Sequence, residues 1–371
     1  MPVISLGRID NAHQNGVWAL SGLANGCFVS GGLDGALRLW RLSTREPNSG
    51  SDVPDASIDD AETVHDEQTT NKIAEMTRAW PEAHRLAITS VASAPKHDTC
   101  VSTGFDGRIR IWTLDTREEE RSNALEIQLN PLEAFQVAMT TDATQVAAGG
   151  DVYAGAPRPG VACVASLFSV PSTERLQSFE IEPASRLENY RFTMCMRFVG
   201  TDETGSRSGA LVCGGNDGSI VRADLETRNW DRFVLNARGA GKTAPTTASG
   251  LPIRALAQAN REEDVVFCAS EDECVHVVDW RMREQASLLG TAGSGPLFAT
   301  AIAEDNTMLV FAAGADGRVR AYDRRTGECV YTRGGDASKT IWALESMGGL
   351  YVDSHRILCG GDDGYIEVLK T

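Results

Sequence analysis

The sequence predicts an all-β protein, a seven-bladed β-propeller, on two observations. One hairpin-like stretch recurs along the whole chain, and every copy is flanked by further short apolar strands. FVSGGLDGALRLWRL, residues 28–42, returns as CVSTGFDGRIRIWTL from Cys100, LVCGGNDGSIVRADL from Leu211 and VFCASEDECVHVVDW from Val266. VFAAGADGRVRAYDR comes next from Val310 and ILCGGDDGYIEVLKT from Ile357. A degenerate copy begins with VAAGG at 146–150, is interrupted, and resumes as VACVASLFSV from Val161.

Each copy is an apolar β-run, small residues, an Asp-Gly-type turn and an alternating strand. That is a hairpin whose turn needs residues tolerant of positive φ. Ahead of the copies stand VWAL, ITSV, AFQVA, RFTMCM, PIRAL, LFATAI and IWAL, and behind several of them NALEIQL, RLQSFEI, DRFVLN or ECVYTR. Four strands written seven times specify seven four-stranded blades in a single domain spanning 1–371. Shared over 371 residues this gives about 53 per blade, above the ~40–45 of ordinary repeats of this size. Insertions at 43–71, 151–160, 201–209 and 236–250 absorb the excess. The first has many carboxylates and no Lys or Arg from residue 46 to 71, so it reads as a disordered acidic loop. The last copy ends on its third strand, so residues 3–9, VISLGRI, are expected to close the last blade as its outer strand.

Composition narrows the function. Hydrophobic residues at 42% can build a large core. No apolar run nears the ~18 residues that cross a bilayer, and the N-terminus has no signal-peptide pattern, so neither membrane nor secretion is expected. The net charge of -16 opposes direct binding to nucleic acid. Nine scattered cysteines without C-x-x-C suit reduced thiols in the cytosol or nucleus. NARGAGKTAPTT, from Asn236, imitates a phosphate loop at Gly241, Lys242 and Thr243. Asn236 stands where the first glycine is required, however, and the residues after Thr243 lead to a strand rather than a helix. The six histidines lack metal-ligand spacing. Cys213, Cys268 and Cys359 share a repeat position with Ser30, Ser102, Ala148 and Ala312, which reads as a small-residue packing site. No catalytic residue, metal or cofactor is expected.

The repeats resemble the WD-repeat family along the whole chain. That resemblance implies a hydrogen-bonded turn network of His13, Ser30, Asp34 and Trp40 in the first blade, and of His84, Ser102, Asp106 and Trp112 in the second. Elsewhere only the turn aspartates Asp217, Asp272, Asp316 and Asp363 remain. In such propellers one residue near the start of each inner strand faces the channel mouth. Alignment places Trp18, Thr89, Phe135, Phe192, Arg254, Phe298 and Trp342 there, five of seven aromatic in a chain with 6% aromatics. A second rim position, before the turn aspartate, adds Leu33, Phe105, Asn216, Glu271, Ala315 and Asp362. Together they suit a partner peptide carrying an apolar and a basic residue.

AHQNGVWAL (12–20), NPLEAFQVAMTTDATQVAAGG (130–150) and LPIRAL (251–256) are further similar to the WD-repeat subunit of the superkiller complex. That resemblance implies a non-enzymatic subunit joined to a tetratricopeptide scaffold and an RNA helicase, assisting exosome-mediated mRNA decay in the cytoplasm. It also leaves room for a role in a nuclear transcription-elongation complex. The expected state is one propeller copy inside a hetero-complex. The alternative is a generic WD-repeat adaptor of another assembly, such as a ubiquitin ligase or a methyltransferase.

Overall fold

The structure is a computed structural model, and it describes residues 3–43, 73–114, 124–156, 159–181, 189–200, 209–235, 250–259, 264–282, 284–290, 295–303, 308–334, 339–347 and 355–371. The first blade is built of β2 (Val17–Gly22), β3 (Cys27–Gly32), β4 (Leu37–Leu42) and β5 (Ala74–Trp80). The second holds β6 (Ile88–Ala94), β7 (Thr99–Gly104), β8 (Arg108–Thr113) and β9 (Leu125–Gln128). The third holds β10 (Gln136–Met139), β11 (Gln145–Gly149), β12 (Ala162–Ser169) and β13 (Arg175–Ile181). The fourth runs β14 (Thr193–Val199), β15 (Ala210–Gly215), β16 (Ser219–Asp224) and β17 (Trp230–Val234). The fifth runs β18 (Ile253–Ala257), β19 (Val265–Ser270), β20 (Val275–Asp279) and β21 (Glu284–Leu289). The sixth runs β22 (Leu297–Ile302), β23 (Leu309–Gly314), β24 (Arg318–Asp323) and β25 (Cys329–Gly334). The seventh combines β26 (Ile341–Met347), β27 (Arg356–Gly361) and β28 (Ile366–Lys370) with β1 (Ile4–Ile9) from the other end of the chain.

The burial pattern comes from blades packing face to face. Every residue of β15, β19, β23 and β27 is buried, because each of these strands has a sheet on either side. Outer strands such as β25 alternate instead, with Val330 55% exposed. Each inner strand contacts the inner strands of both neighbouring blades, from β2 round to β26 and back to β2. Their free edges would leave backbone groups unpaired, and hydroxyls from the adjacent blade fill several of these places. Thr89 Oγ1 donates to the Phe135 carbonyl at 2.7 Å, and Ser346 Oγ to that of Ile302 at 2.6 Å.

Turn chemistry explains why the Asp-Gly signal is so regular. Gly35, Gly107, Gly218, Gly317 and Gly364 lie at φ between 66° and 75°, where a Cβ is costly. In the fifth blade Glu273 holds the same conformation at φ 71°. The degenerate third blade replaces the turn with an anchored loop. Asp151 Oδ1 accepts from the backbone N–H groups of Tyr153 and Ala154, and Val152 is fully buried among the blade 3 and blade 4 side chains. The 43–71, 201–209 and 236–250 insertions, with the phosphate-loop-like segment, lie outside the described residues apart from Ser43, Gly209 and Gly250.

The predicted closing strand forms as β1 against β28, one residue shorter than expected at its start. The antiparallel register runs from Ile4↔Lys370 to Ile9↔Ile366, with a bulge near Gly7. Ser5 Oγ donates to Glu367 at 2.7 Å, and the Arg8 guanidinium lies 3.4 Å from the centre of the Tyr365 ring. Val3, just before the strand, is buried in the core shared by blades 6 and 7. Deleting residues 1–9 is expected to cost at least about 3 kcal/mol, since the core side chains covered by Val3, Leu6 and Ile9 are exposed and β28 becomes an open edge. Chemical denaturation of the deleted and full-length chains checks this, and equal midpoints would show the strand to be dispensable.

Candidate protein-docking rim

The turns that carry the rim are fixed by a relay of hydrogen bonds in the first two blades. Trp40 Nε1 donates to Ser30 Oγ at 2.8 Å, Ser30 Oγ lies 2.7 Å from His13 Nε2, and His13 Nδ1 lies 2.9 Å from Asp34 Oδ1. Trp112, Ser102, His84 and Asp106 repeat it at 2.9, 2.8 and 2.9 Å. Donor arithmetic fixes the tautomer. The indole N–H fills the hydroxyl oxygen, the hydroxyl proton serves Nε2, and the Nδ1–H of a neutral imidazole serves the carboxylate. Burial lowers the pKa of both histidines, outweighing the raising effect of the aspartate each one faces. Burial would raise the Asp34 carboxyl, but the hydrogen bond from His13 and the Arg38 guanidinium hold it well below the carboxylate range.

The other blades keep the aspartate and change its partner. Asp217 takes Arg232 at 2.7 Å from the outer strand, and Asp272 takes His276 at 2.8 Å. Asp316 is clasped by Arg320, and Asp363 by Lys339 at 2.8 Å. In blade 4 the histidine's place beneath the turn belongs to Tyr190, fully buried against Gly215 as His13 is against Gly32. Its hydroxyl bonds Thr193 Oγ1 at 3.0 Å. Sequence reasoning missed Tyr190, although it lies at the head of the RFTMCM strand.

A second repeated bond places both rim positions at one end of every blade. The N–H of the residue closing the middle strand donates to the carbonyl entering the inner strand: Leu33 to Gly16, Phe105 to Ala87, Asp151 to Leu132 and Asn216 to Phe192. Glu271 to Pro252, Ala315 to Pro296 and Asp362 to Thr340 complete the seven. Immediately beyond, Trp18, Thr89, Arg254, Phe298 and Trp342 each occupy a bulge in the inner strand, where one extra residue re-aims a side chain.

These side chains touch in sequence round the rim. Arg254 sits 5.1 Å from the Phe298 ring, which stacks on Trp342 at 4.7 Å. Trp342 meets Trp18 at 5.6 Å, Trp18 meets Phe105 at 6.1 Å, Phe105 meets Phe135 at 5.8 Å, and Phe135 meets Phe192 at 5.0 Å. All seven are half-buried rather than enclosed between blades. Trp342 Nε1 donates to the exposed Asp362 carboxylate, whereas Trp18 Nε1 has no hydrogen-bond partner among the described residues.

Three details differ from the expected alignment. Thr89 is buried, its hydroxyl spent on the Phe135 carbonyl, and Phe105 takes the place in the ring that it leaves. In blade 4 the ladder pairs Met196 with Cys213 as Leu20 pairs with Ser30, so the bulge residue equivalent to Trp18 is Met194. Phe192 lies two residues earlier and reaches the ring by contact with Phe135. Glu271 is bound by Arg254 at 2.7 Å, so it offers no free carboxylate to a basic partner side chain.

The tempting thiols sit where the ladder puts Ser30. Cys213, Cys268 and Cys359 pair across from Met196, Leu256 and Leu344, are buried, and have pKa values raised by burial. None of the nine cysteines is joined in a disulfide. Among the described residues no cluster of three His, Cys, Asp or Glu could hold a metal ion.

Comparison with known families agrees with this geometry where it is most regular. Residues 5–41 and 77–113 match the family described as WD domain, G-beta repeat. These are the two segments that carry the complete Trp-Ser-His-Asp relay. The chain is thus a seven-bladed propeller containing WD40 repeats, a class that generally serves as protein-interaction scaffold. No curated protein matches the chain.

The relay sets a pH dependence. Both histidines have folded pKa values below the ordinary 6.5, so the unfolded chain takes up protons first as pH falls. Stability is therefore complete above about pH 6.5 and declines below it; Asp34, Asp106 and Asp272, lowered from 3.8, add a further loss in stronger acid. Urea midpoints from about pH 8 to about pH 5 should fall in the native chain and fall less in His13→Gln, His84→Gln. Equal slopes would exclude the relay as the cause. Ser30→Ala, which strands Trp40 Nε1 and His13 Nε2, should cost about 1–3 kcal/mol.

Proposed function

We propose that this chain is a non-enzymatic scaffold that holds a partner polypeptide across the rim of its propeller. The observation that carries the reading is the run of half-buried rings from Phe298 through Trp342, Trp18, Phe105 and Phe135 to Phe192, with Arg254 at its head. Rigid aromatic side chains with arginine are the residues that most often dominate binding energy, at ~2 kcal/mol or more each. Asp362, exposed and without a cation among the described residues, supplies an acceptor for a basic group beside the Trp342 ring.

The finer proposal is a superkiller-type WD-repeat subunit, bound to a tetratricopeptide scaffold and an RNA helicase and assisting exosome-mediated mRNA decay in the cytoplasm. What supports it is the wording of the sequence at 12–20, 130–150 and 251–256, which includes Trp18, Phe135 and Arg254 of the rim. A generic adaptor of another assembly is the second reading, favoured by a family match that reaches only the common repeat. Affinity purification of the tagged native chain separates the two. Helicase and tetratricopeptide subunits in the eluate support the first, and cullin adaptors or methyltransferase subunits the second.

The rim itself is tested by Phe298→Ala with Trp342→Ala. Loss of partner capture is expected with unfolding still cooperative and a stability loss of no more than about 3 kcal/mol, since both rings are only half-buried. A large fall in melting temperature would show these rings to be core instead.

A further inference from the structure

The rim is not uniform around its circumference, and the difference assigns chemistry to the partner. Over blades 2 to 4 the ring residues Phe105, Phe135 and Phe192 are joined by two leucines from the segments entering blades 2 and 3. Leu86 is 53% exposed and Leu132 48%. The Leu132 carbonyl accepts the Asp151 rim bond, and Leu86 stands next to Ala87, whose carbonyl accepts that of Phe105. Large aliphatic groups left this open beside aromatic ones form an apolar crescent of the kind that marks an interaction surface.

The charges framing the crescent have one sign. Arg85 adjoins Leu86, is exposed, and makes no ion pair among the described residues. Arg191 adjoins Phe192, is exposed, and rests its guanidinium 5.0 Å from the Tyr153 ring without a carboxylate partner among the described residues. The carboxylates in the same segments are already engaged. Asp106 serves His84, Glu133 takes Arg175 at 2.9 Å, Asp151 caps two backbone N–H groups, and Asp217 takes Arg232. Glu82 is the exception: it is exposed two residues past the outer strand β5, where its backbone carbonyl accepts from Arg110 at 3.4 Å. In a chain of net charge -16, this sector sets free cations beside apolar surface. Across the rim the sign reverses at Asp362, which accepts the Trp342 indole N–H and the Thr340 backbone N–H, is exposed, and makes no ion pair among the described residues.

We infer that the crescent is a subsite for apolar residues flanked by carboxylates, so that the bound polypeptide is polar in charge along its length. Its acidic, apolar part lies over blades 2 to 4, and its basic residue lies at Asp362. The inference rests on the rim being the docking surface, and it adds the direction and composition of the segment docked there. Arg85 and Arg191 contribute through long-range attraction and rim pairing, which act chiefly on encounter and weaken with salt.

Peptides selected from a random phage-displayed library on the full-length chain provide the probe. The expected winners pair aromatic or aliphatic anchors with Asp or Glu, and carry Lys or Arg towards one end. On the synthesised winners, Arg85→Glu with Arg191→Glu should raise Kd about tenfold and flatten its salt dependence, while Arg228→Glu, in the β16–β17 turn at the opposite end of its blade, leaves Kd unchanged. Phe105→Ala should also weaken them. Winners lost on Phe298→Ala, Trp342→Ala but unaffected by the Arg85 and Arg191 reversals, or lacking acidic residues, would overturn the subsite and leave the docking rim standing. Winners indifferent to every rim variant, or no winners at all, would overturn both.

Discussion

The pairing of β1 with β28 is the constraint on which the remaining structure depends. Seven sheets arranged about an axis bury their faces only if the last is held against the first. Backbone hydrogen bonds from Ile4 to Ile9, the Ser5–Glu367 bond and the buried Val3 make that seam. Once the circle is fixed, each inner strand has a neighbour on both sides, and the small residues at the Ser30 position let the sheets approach. The rim inherits its shape from this closure, because its side chains meet one another only when the inner strands are held at their common spacing.

On that frame, local chemistry divides the work between blades. The first two spend a full relay on their turns, whereas blades 4, 5, 6 and 7 hold the same aspartate with Arg232, His276, Arg320 and Lys339. The clasps differ in exposure: the Asp272–His276 pair is as buried as the relays, whereas Lys339 is 44% exposed and solvent screens its pairing with Asp363. The family match to the first two blades obeys the same division.

Much of this was legible in the chain. The recurring hairpin gave the blade count, and the Asp-Gly turns gave the positions of positive φ. Both relays could be read from their spacing because local turns fix it. The rim was legible in part, for a physical reason. Alternation repeats every two residues, so Phe192 and Met194 fit the same pattern, and only the ladder distinguishes them. Tyr190 in the histidine's place had no spacing signal, since Tyr190 and Asp217 are 27 residues apart whereas His13 and Asp34 are 21 apart. The capture of Glu271 by Arg254 and the turning of Thr89 toward Phe135 depend on side-chain reach between strands and blades, which a linear pattern does not encode.

The seam also orders events in time. Ser5 and Glu367 are separated by 362 positions, so during synthesis the first strand leaves the ribosome long before its mate exists. Six sheets can form in succession as they emerge, but the circle stays open until β28 is released. An unpaired strand kept waiting that long is a natural client for chaperones, and β28 decides whether the whole assembly locks.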